Sequence, residues 1–184
     1  MGRDKASTLF RGEPMLTHVA TALRSAGCEP LVVGRKTAGD FPAVEDDFKD
    51  QRGPAAGLAT ILRLCNERDV ALIATDQPLL NPVTVQRLLS LEGDAVVPVD
   101  QGIRQVTCAI YRHACLEPLE QALANKDNLS LQALLNSVMT REVPETEWKT
   151  WGEDGRSWWS LDTPKELSRA EDWQPDIGPP SPDR

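Results

Sequence analysis

Short apolar runs alternate with amphipathic helical stretches along most of this 184-residue chain, and that alternation narrows the fold more than any other feature. PLVVG (30–34), VALIATD (70–76), DAVVPV (94–99) and VTCAIYR (106–112) read as buried strands. The stretches around them carry helical periodicity. In EPMLTHVATALRSAG (13–27), Pro14 suits the first turn, Leu16, Val19 and Leu23 share a face, and Gly27 can end the helix. GPAAGLATILRLCNE (53–67) opens on a Gly-Pro turn and places Leu58, Ile61, Leu62 and Cys65 at i, i+3, i+4 and i+7. PVTVQRLLSL (82–91) starts a third helix at proline, and ACLEPLEQALA and SLQALLNSV continue the series. Strand and helix in turn, at βαβ spacing, predict a three-layer α/β domain with a mainly parallel sheet.

The predicted domain covers residues 1–173. EWKTWGEDGRSWWSLDTPKEL (147–167) changes the composition by bringing together four of the five tryptophans. Beyond Trp173, QPDIGPPSPDR has four prolines and few apolar residues, so 174–184 reads as a disordered tail. The four cysteines lie far apart, without the short pairings of a zinc site, and those on apolar stretches (Cys28, Cys65) read as buried free thiols. This is a cytoplasmic pattern. No apolar run approaches the roughly 20 residues that cross a bilayer, so no membrane association is expected. A net charge of −8 argues against a nucleic-acid partner, because duplex binding rests on many Lys and Arg contacts to phosphate. An acidic chain can still hold a nucleotide through a local cation, a metal ion or oriented N–H groups.

Asp76 closes the run ALIAT, which puts its carboxylate at the carboxyl edge of a buried strand, where open α/β sheets bind ligands. Such a group can hold Mg²⁺. It can equally serve the turn before Pro78. GPAAG at 53–57 is ordinary turn chemistry or a close approach of helix to sheet, and Asp46 and Asp47 in VEDDFKDQ read as a solvated acidic loop. Thr163-Pro164-Lys165-Glu166 fits a capping box, with Asp162 beside it as a further acid. His18 and His113 have no convincing Ser, Cys or Asp partner in the sequence, which disfavours a covalent hydrolase.

Taken in order, MGRDKA (1–6), GEPML (12–16), GPAAG (53–57), TDQP (75–78) and LDTPKEL (161–167) resemble the molybdenum cofactor guanylyltransferases, a nucleotidyltransferase family with a Rossmann-like fold. The family motif runs L-A-G-G-x-S-x-R-M-G-x-D-K-A, and Met1 to Ala6 match its second half. The resemblance implies GMP transfer from GTP to molybdopterin with release of pyrophosphate. Lys5 then contacts GTP phosphate, Asp46 belongs to the GTP site, and Asp76 holds Mg²⁺. Molybdoenzyme-maturation proteins are further partners in this reading. A cytidylyltransferase of the same superfamily and a non-catalytic nucleotide-binding relative are the alternatives. Because MGRDKA enters the motif partway, the first strand of the fold is expected to be absent from this chain. The coding frame is then expected to continue upstream of Met1 with an apolar strand, a Gly-Gly turn and an Arg.

Overall fold

A computed structural model of the chain describes residues 7–45, 53–65, 68–125 and 130–172. Lys5, Asp46 and the tail at 174–184 lie outside the described residues. The described part opens with a hairpin, β1 (Leu9–Phe10) and β2 (Glu13–Pro14), turned at Arg11 and Gly12 with φ of 49° and 83°. Pro14 therefore ends a strand and stands just outside helix α1 (Met15–Ser25), not in its first turn as the sequence reading had it. The other end of α1 is as expected. Gly27, at φ 88°, donates to the carbonyl of Arg24 while Cys28 donates to that of Leu23, and this pair of bonds closes the helix.

A two-stranded parallel sheet, β3 (Val32–Val33) and β4 (Ala43–Val44), precedes α2 (Pro54–Leu64). Then follow β5 (Val70–Ile73), α3 (Pro82–Leu89), β6 (Ala95–Asp100), β7 (Ile103–Arg104) and β8 (Cys108–Tyr111). Helices α4 (Leu116–Asn125) and α5 (Leu131–Leu135) lead to β9 (Thr140–Val143), α6 (Glu145–Trp148) and α7 (Pro164–Glu171). Each strand and helix expected over 30–138 is present, within a few residues of its predicted limits.

The α/β architecture is as predicted, but the sheet is mixed where a mainly parallel one was expected. Its order is β5-β8-β6, with β9 also on β6; β8 runs antiparallel to both neighbours and β9 parallel to β6. Strands β5, β6 and β9 thus share one direction and β8 opposes them. Chain length explains the reversal. A parallel crossover needs a dozen or more residues. Only residues 101–107 separate β6 from β8. They turn at Gln101 and Gly102, both at positive φ, and pair β7 back onto Val99 and Asp100 before β8 begins. A two-residue turn of that hand is the standard hairpin solution.

Alternation along the strands divides the interior into two layers. Ala95, Val97, Ala109 and Tyr111 face a core closed by α2, α4 and α5, while Val96, Cys108 and Ile110 face one closed by α1, α3, α6 and Trp158. Helix α2 lies under α4 and is apolar nearly all round, with Leu58, Ala59 and Leu62 at 1% exposure or less. The tryptophan-rich stretch belongs to the second core. Trp148 and Trp158 meet edge to face at 5.0 Å, and their indole N–H groups donate to the Val99 carbonyl and the Asp100 carboxylate. All four cysteines are free as expected, but Cys28 and Cys65 are half-buried, and it is Cys108 and Cys115 that are fully buried. Burial, and secondarily the Glu153 carboxylate, raises the Cys108 thiol far above its ordinary range.

Candidate active site

Asp76 stands where the sequence placed it, three residues past the end of β5 in the turn leading to α3, and is half-buried. The Ala74 N–H still donates to Thr107 at 2.9 Å, so pairing with the strand of β8 persists almost to the acid. The turn is set locally, by Gln77 N–H on the Ala74 carbonyl and Leu80 N–H on the Gln77 carbonyl. Asn81 then caps α3 by accepting from the Val83 N–H, with Pro82 at the first helical position. The backbone of Asp76 is therefore fixed between a paired strand end and a capped helix start.

The structure adds a neighbour that sequence reasoning left undecided. The Leu161 N–H donates to the Asp76 carbonyl at 2.9 Å, which brings the end of the tryptophan-rich stretch against the Asp76 turn. Asp162 follows immediately and is exposed. The capping box predicted beside it is present: Thr163 accepts from the Glu166 N–H, and the Glu166 carboxylate accepts from the Thr163 N–H at 2.8 Å. The stretch 153–161 thus acts as a strap with α7 as its anchor.

Two buried polar side chains hold that strap, and neither was singled out from the sequence. Gln77, 3% exposed, accepts from the Ala74 N–H and donates to the Trp158 carbonyl and to Thr107 Oγ1, at 3.3, 3.3 and 3.5 Å. Glu153, 4% exposed, accepts from Thr84 Oγ1 at 2.6 Å, from Ser157 Oγ, and from the N–H groups of Asp154, Gly155 and Ser157. Ser157 Oγ in turn accepts from the Asn81 N–H. The available signal was the polar GEDGRS set among tryptophans, which must bury something charged if the tryptophans are buried.

The glycine-rich segment lies at the start of α2, with Gly53 in extended backbone ahead of Pro54 and open space where a Cβ would stand. A groove of about 820 Å³ runs from there between α1, β3 and β5, past Leu16, Leu23, Val33 and Ile61, and ends at Thr75. Asp76 borders this groove and is not part of its lining. One edge of β5 is paired with β8 and the other faces the groove, so alternation turns the N–H and C=O of Ala71 and Ile73 towards it. The histidines play no part in this region. His18 donates to the Phe10 carbonyl at 2.8 Å and packs edge-on to its ring, while His113 is exposed in a turn before α4.

A carboxylate carried on a fixed backbone at the carboxyl edge of an α/β sheet, with a glycine-led helix start on the same chain, suits positioning of a phosphate-bearing ligand better than covalent attack. The comparisons with known proteins agree. The model of the MobA-like NTP transferase domain matches residues 1–142. The chain is 26% identical over 177 residues to a molybdenum cofactor guanylyltransferase of Desulfosudis oleivorans, covering 92% of this chain and 87% of that protein. It is 31% identical over 147 residues to one from Pseudomonas putida, covering 75% and 76%. The solved molybdopterin-guanine dinucleotide biosynthesis protein A of Archaeoglobus fulgidus superposes with a TM-score of 0.78, at 19% identity, over 92% of this chain and 90% of that one, and so has the same fold. The family match spans the turn that carries Asp76, and this chain belongs to the MobA-like NTP transferases.

Proposed function

We propose that the chain transfers GMP from GTP to molybdopterin. The observation that carries this reading is its alignment, over most of its length, with relatives named molybdenum cofactor guanylyltransferase. In the reaction a terminal phosphate oxygen of molybdopterin forms a bond to the α-phosphorus of GTP. The bond from that phosphorus to the bridging oxygen of the β-phosphate breaks, and pyrophosphate leaves with the electron pair. Nothing in this step needs a protein nucleophile; it needs in-line placement and charge neutralisation.

Asp76 is the residue to hold Mg²⁺. Among the described residues no three His, Cys, Asp or Glu side chains form a metal cage. That fits Mg²⁺, which usually takes one or two carboxylates and completes its shell with water and phosphate oxygens. When bound, the ion neutralises charge on the phosphates. The chain's own part is to keep the Asp76 carboxylate at the end of β5 with its backbone tied to Leu161. Lys5 is assigned to the GTP phosphates and Asp46 to the GTP site, following the family motif. The free cysteines accord with a cytoplasmic enzyme, and molybdoenzyme-maturation proteins would receive the product.

The test is direct. The purified 184-residue chain is incubated with Mg²⁺, molybdopterin and each nucleoside triphosphate in turn, and pyrophosphate and dinucleotide are measured. GTP alone should support formation of the guanine dinucleotide. Turnover with CTP as fast as with GTP would make the chain a cytidylyltransferase, and binding of GTP without turnover would make it a non-catalytic relative.

A further inference from the structure

We propose that Gln77 is a positioning residue, one that fixes the metal-holding turn by clamping it to the strap; the proposal rests on the assignment of Asp76 to the metal. A buried glutamine in a turn often does no more than satisfy its neighbours. Three features set this one apart. Its partners lie on three separate elements that meet beside Asp76: the end of β5 at Ala74, the approach to β8 at Thr107, and the strap at Trp158. It adjoins Asp76 in sequence, so any shift of its side chain is passed to the acid through one peptide unit. The strap is also tied a second time, three residues further on, by the Leu161 N–H on the Asp76 carbonyl.

These two attachments act on different groups. The Leu161 bond engages the backbone of Asp76 and is retained whatever side chain stands at 77. The Gln77 amide spans from the Ala74 N–H to the Trp158 carbonyl, and so sets the distance between strand end and strap. Without it Asp76 keeps its place in the sequence of the turn but loses the fixed orientation that a metal ligand needs. Outer partners that orient a ligand typically change metal affinity by about 10–100-fold when removed.

The experiment uses the full chain and Mn²⁺ as a paramagnetic probe, titrated with and without GTP, alongside thermal melts. Gln77→Met keeps the length of the side chain and removes the amide; Gln77→Asn keeps an amide too short to reach Trp158. Thr84→Val is the control, because it deletes a buried bond to Glu153 and leaves the Gln77 clamp intact. Both Gln77 variants should bind Mn²⁺ with GTP roughly tenfold more weakly per folded molecule, as an orienting role requires. Thr84→Val should lower the melting temperature and leave Mn²⁺ affinity unchanged. Equal Mn²⁺ affinity in wild type, Gln77→Met and Gln77→Asn would overturn the proposal, whatever happens to stability. Wild-type chain that binds Mn²⁺ with GTP but transfers no nucleotide would refute the guanylyl reading alone. Wild type that binds no Mn²⁺ with GTP would overturn both.

Discussion

Glu153 gives the sharpest test of the strap. Its two carboxylate oxygens do different work. Oε2 accepts from two hydroxyls, Thr84 and Ser157, whereas Oε1 accepts from the N–H groups of Asp154, Gly155 and Ser157 at 3.0, 2.8 and 3.4 Å. Hydroxyls can rotate and become acceptors; backbone N–H groups cannot. Glu153→Gln can therefore keep its carbonyl on the N–H groups and point its NH₂ at the hydroxyls. That variant loses charge assistance only, about 1–2 kcal/mol. Glu153→Ala leaves all five donors without their acceptor. Buried donors cost about 1–3 kcal/mol each when unmet, and those at the edge of the turn regain water, so a total near 4 kcal/mol is expected. For a chain of this length each kcal/mol lowers the melting temperature by roughly 2–4 °C. Thermal melts by circular dichroism should then drop by roughly 4 °C for Gln and by more than about 8 °C for Ala. An Ala variant melting within about 2 °C of wild type, or a Gln variant as damaged as Ala, would refute the division of labour between the two oxygens.

Asp76→Asn removes the charge at constant size, so the melt should hold while guanylyl transfer falls roughly 10²-fold, about the loss of one strong electrostatic contact to a transition state; unchanged turnover would take Asp76 out of the site. Lys5→Ala should weaken GTP binding in calorimetry, and equal affinity with equal turnover would remove that assignment. The Cys115 thiol is pushed up to about 11 from 9.0, chiefly by burial, so the folded chain keeps a proton that the unfolded chain releases. Its contribution is complete below pH 9 and is lost as pH rises from 9.0 towards 11, and Cys115→Ala should show a shallower fall of melting temperature across that window. Gly93 sits at φ 137° with the site of a Cβ only 3.0 Å from the Ala95 carbonyl oxygen and 3.2 Å from Arg141 Cβ. Gly93→Ala should cost about 1–3 kcal/mol in urea unfolding, and a neutral result would mean that the β6–β9 edge yields easily.

The sheet and helices were legible because their signals are local. The run ALIAT, the helix starts at Pro54 and Pro82 and the Thr163–Glu166 box each carry their own punctuation, and each was found where it was predicted; Pro14, drawn into the β1–β2 hairpin, was not. Strand direction was not local in that sense. VTCAIYR has the composition of a buried strand in either orientation, and only the seven residues 101–107 between it and β6 decide that it must run backwards. The short pairs β1–β2 and β3–β4 escaped as well, since two residues are too few to show a period. Asp76 was legible as the end of an apolar run, but what surrounds it was not. Gln77 in TDQPLL looks like any turn residue until Trp158 is beside it.

That difference follows from how the site is assembled. The bonds that shape the Asp76 turn itself span three residues or fewer, whereas those that complete its surroundings span 69, 76 and 81 residues, from Glu153 to Thr84, Ser157 to Asn81 and Trp158 to Gln77. Closing loops of that length costs only a little more chain entropy than closing shorter ones, because the cost grows with the logarithm of length. The long reach is therefore affordable, provided the docked segment buries enough apolar surface to offset its own ordering. Trp148 and Trp158 supply that surface at 1% and 6% exposure, and the indole N–H of each finds a partner on β6. The tryptophans hold the strap on the second core and Glu153 shapes its turn. Gln77 then joins the strap to β5 beside the acid, so a stretch far from the glycine-rich segment in sequence determines how rigidly Asp76 is held.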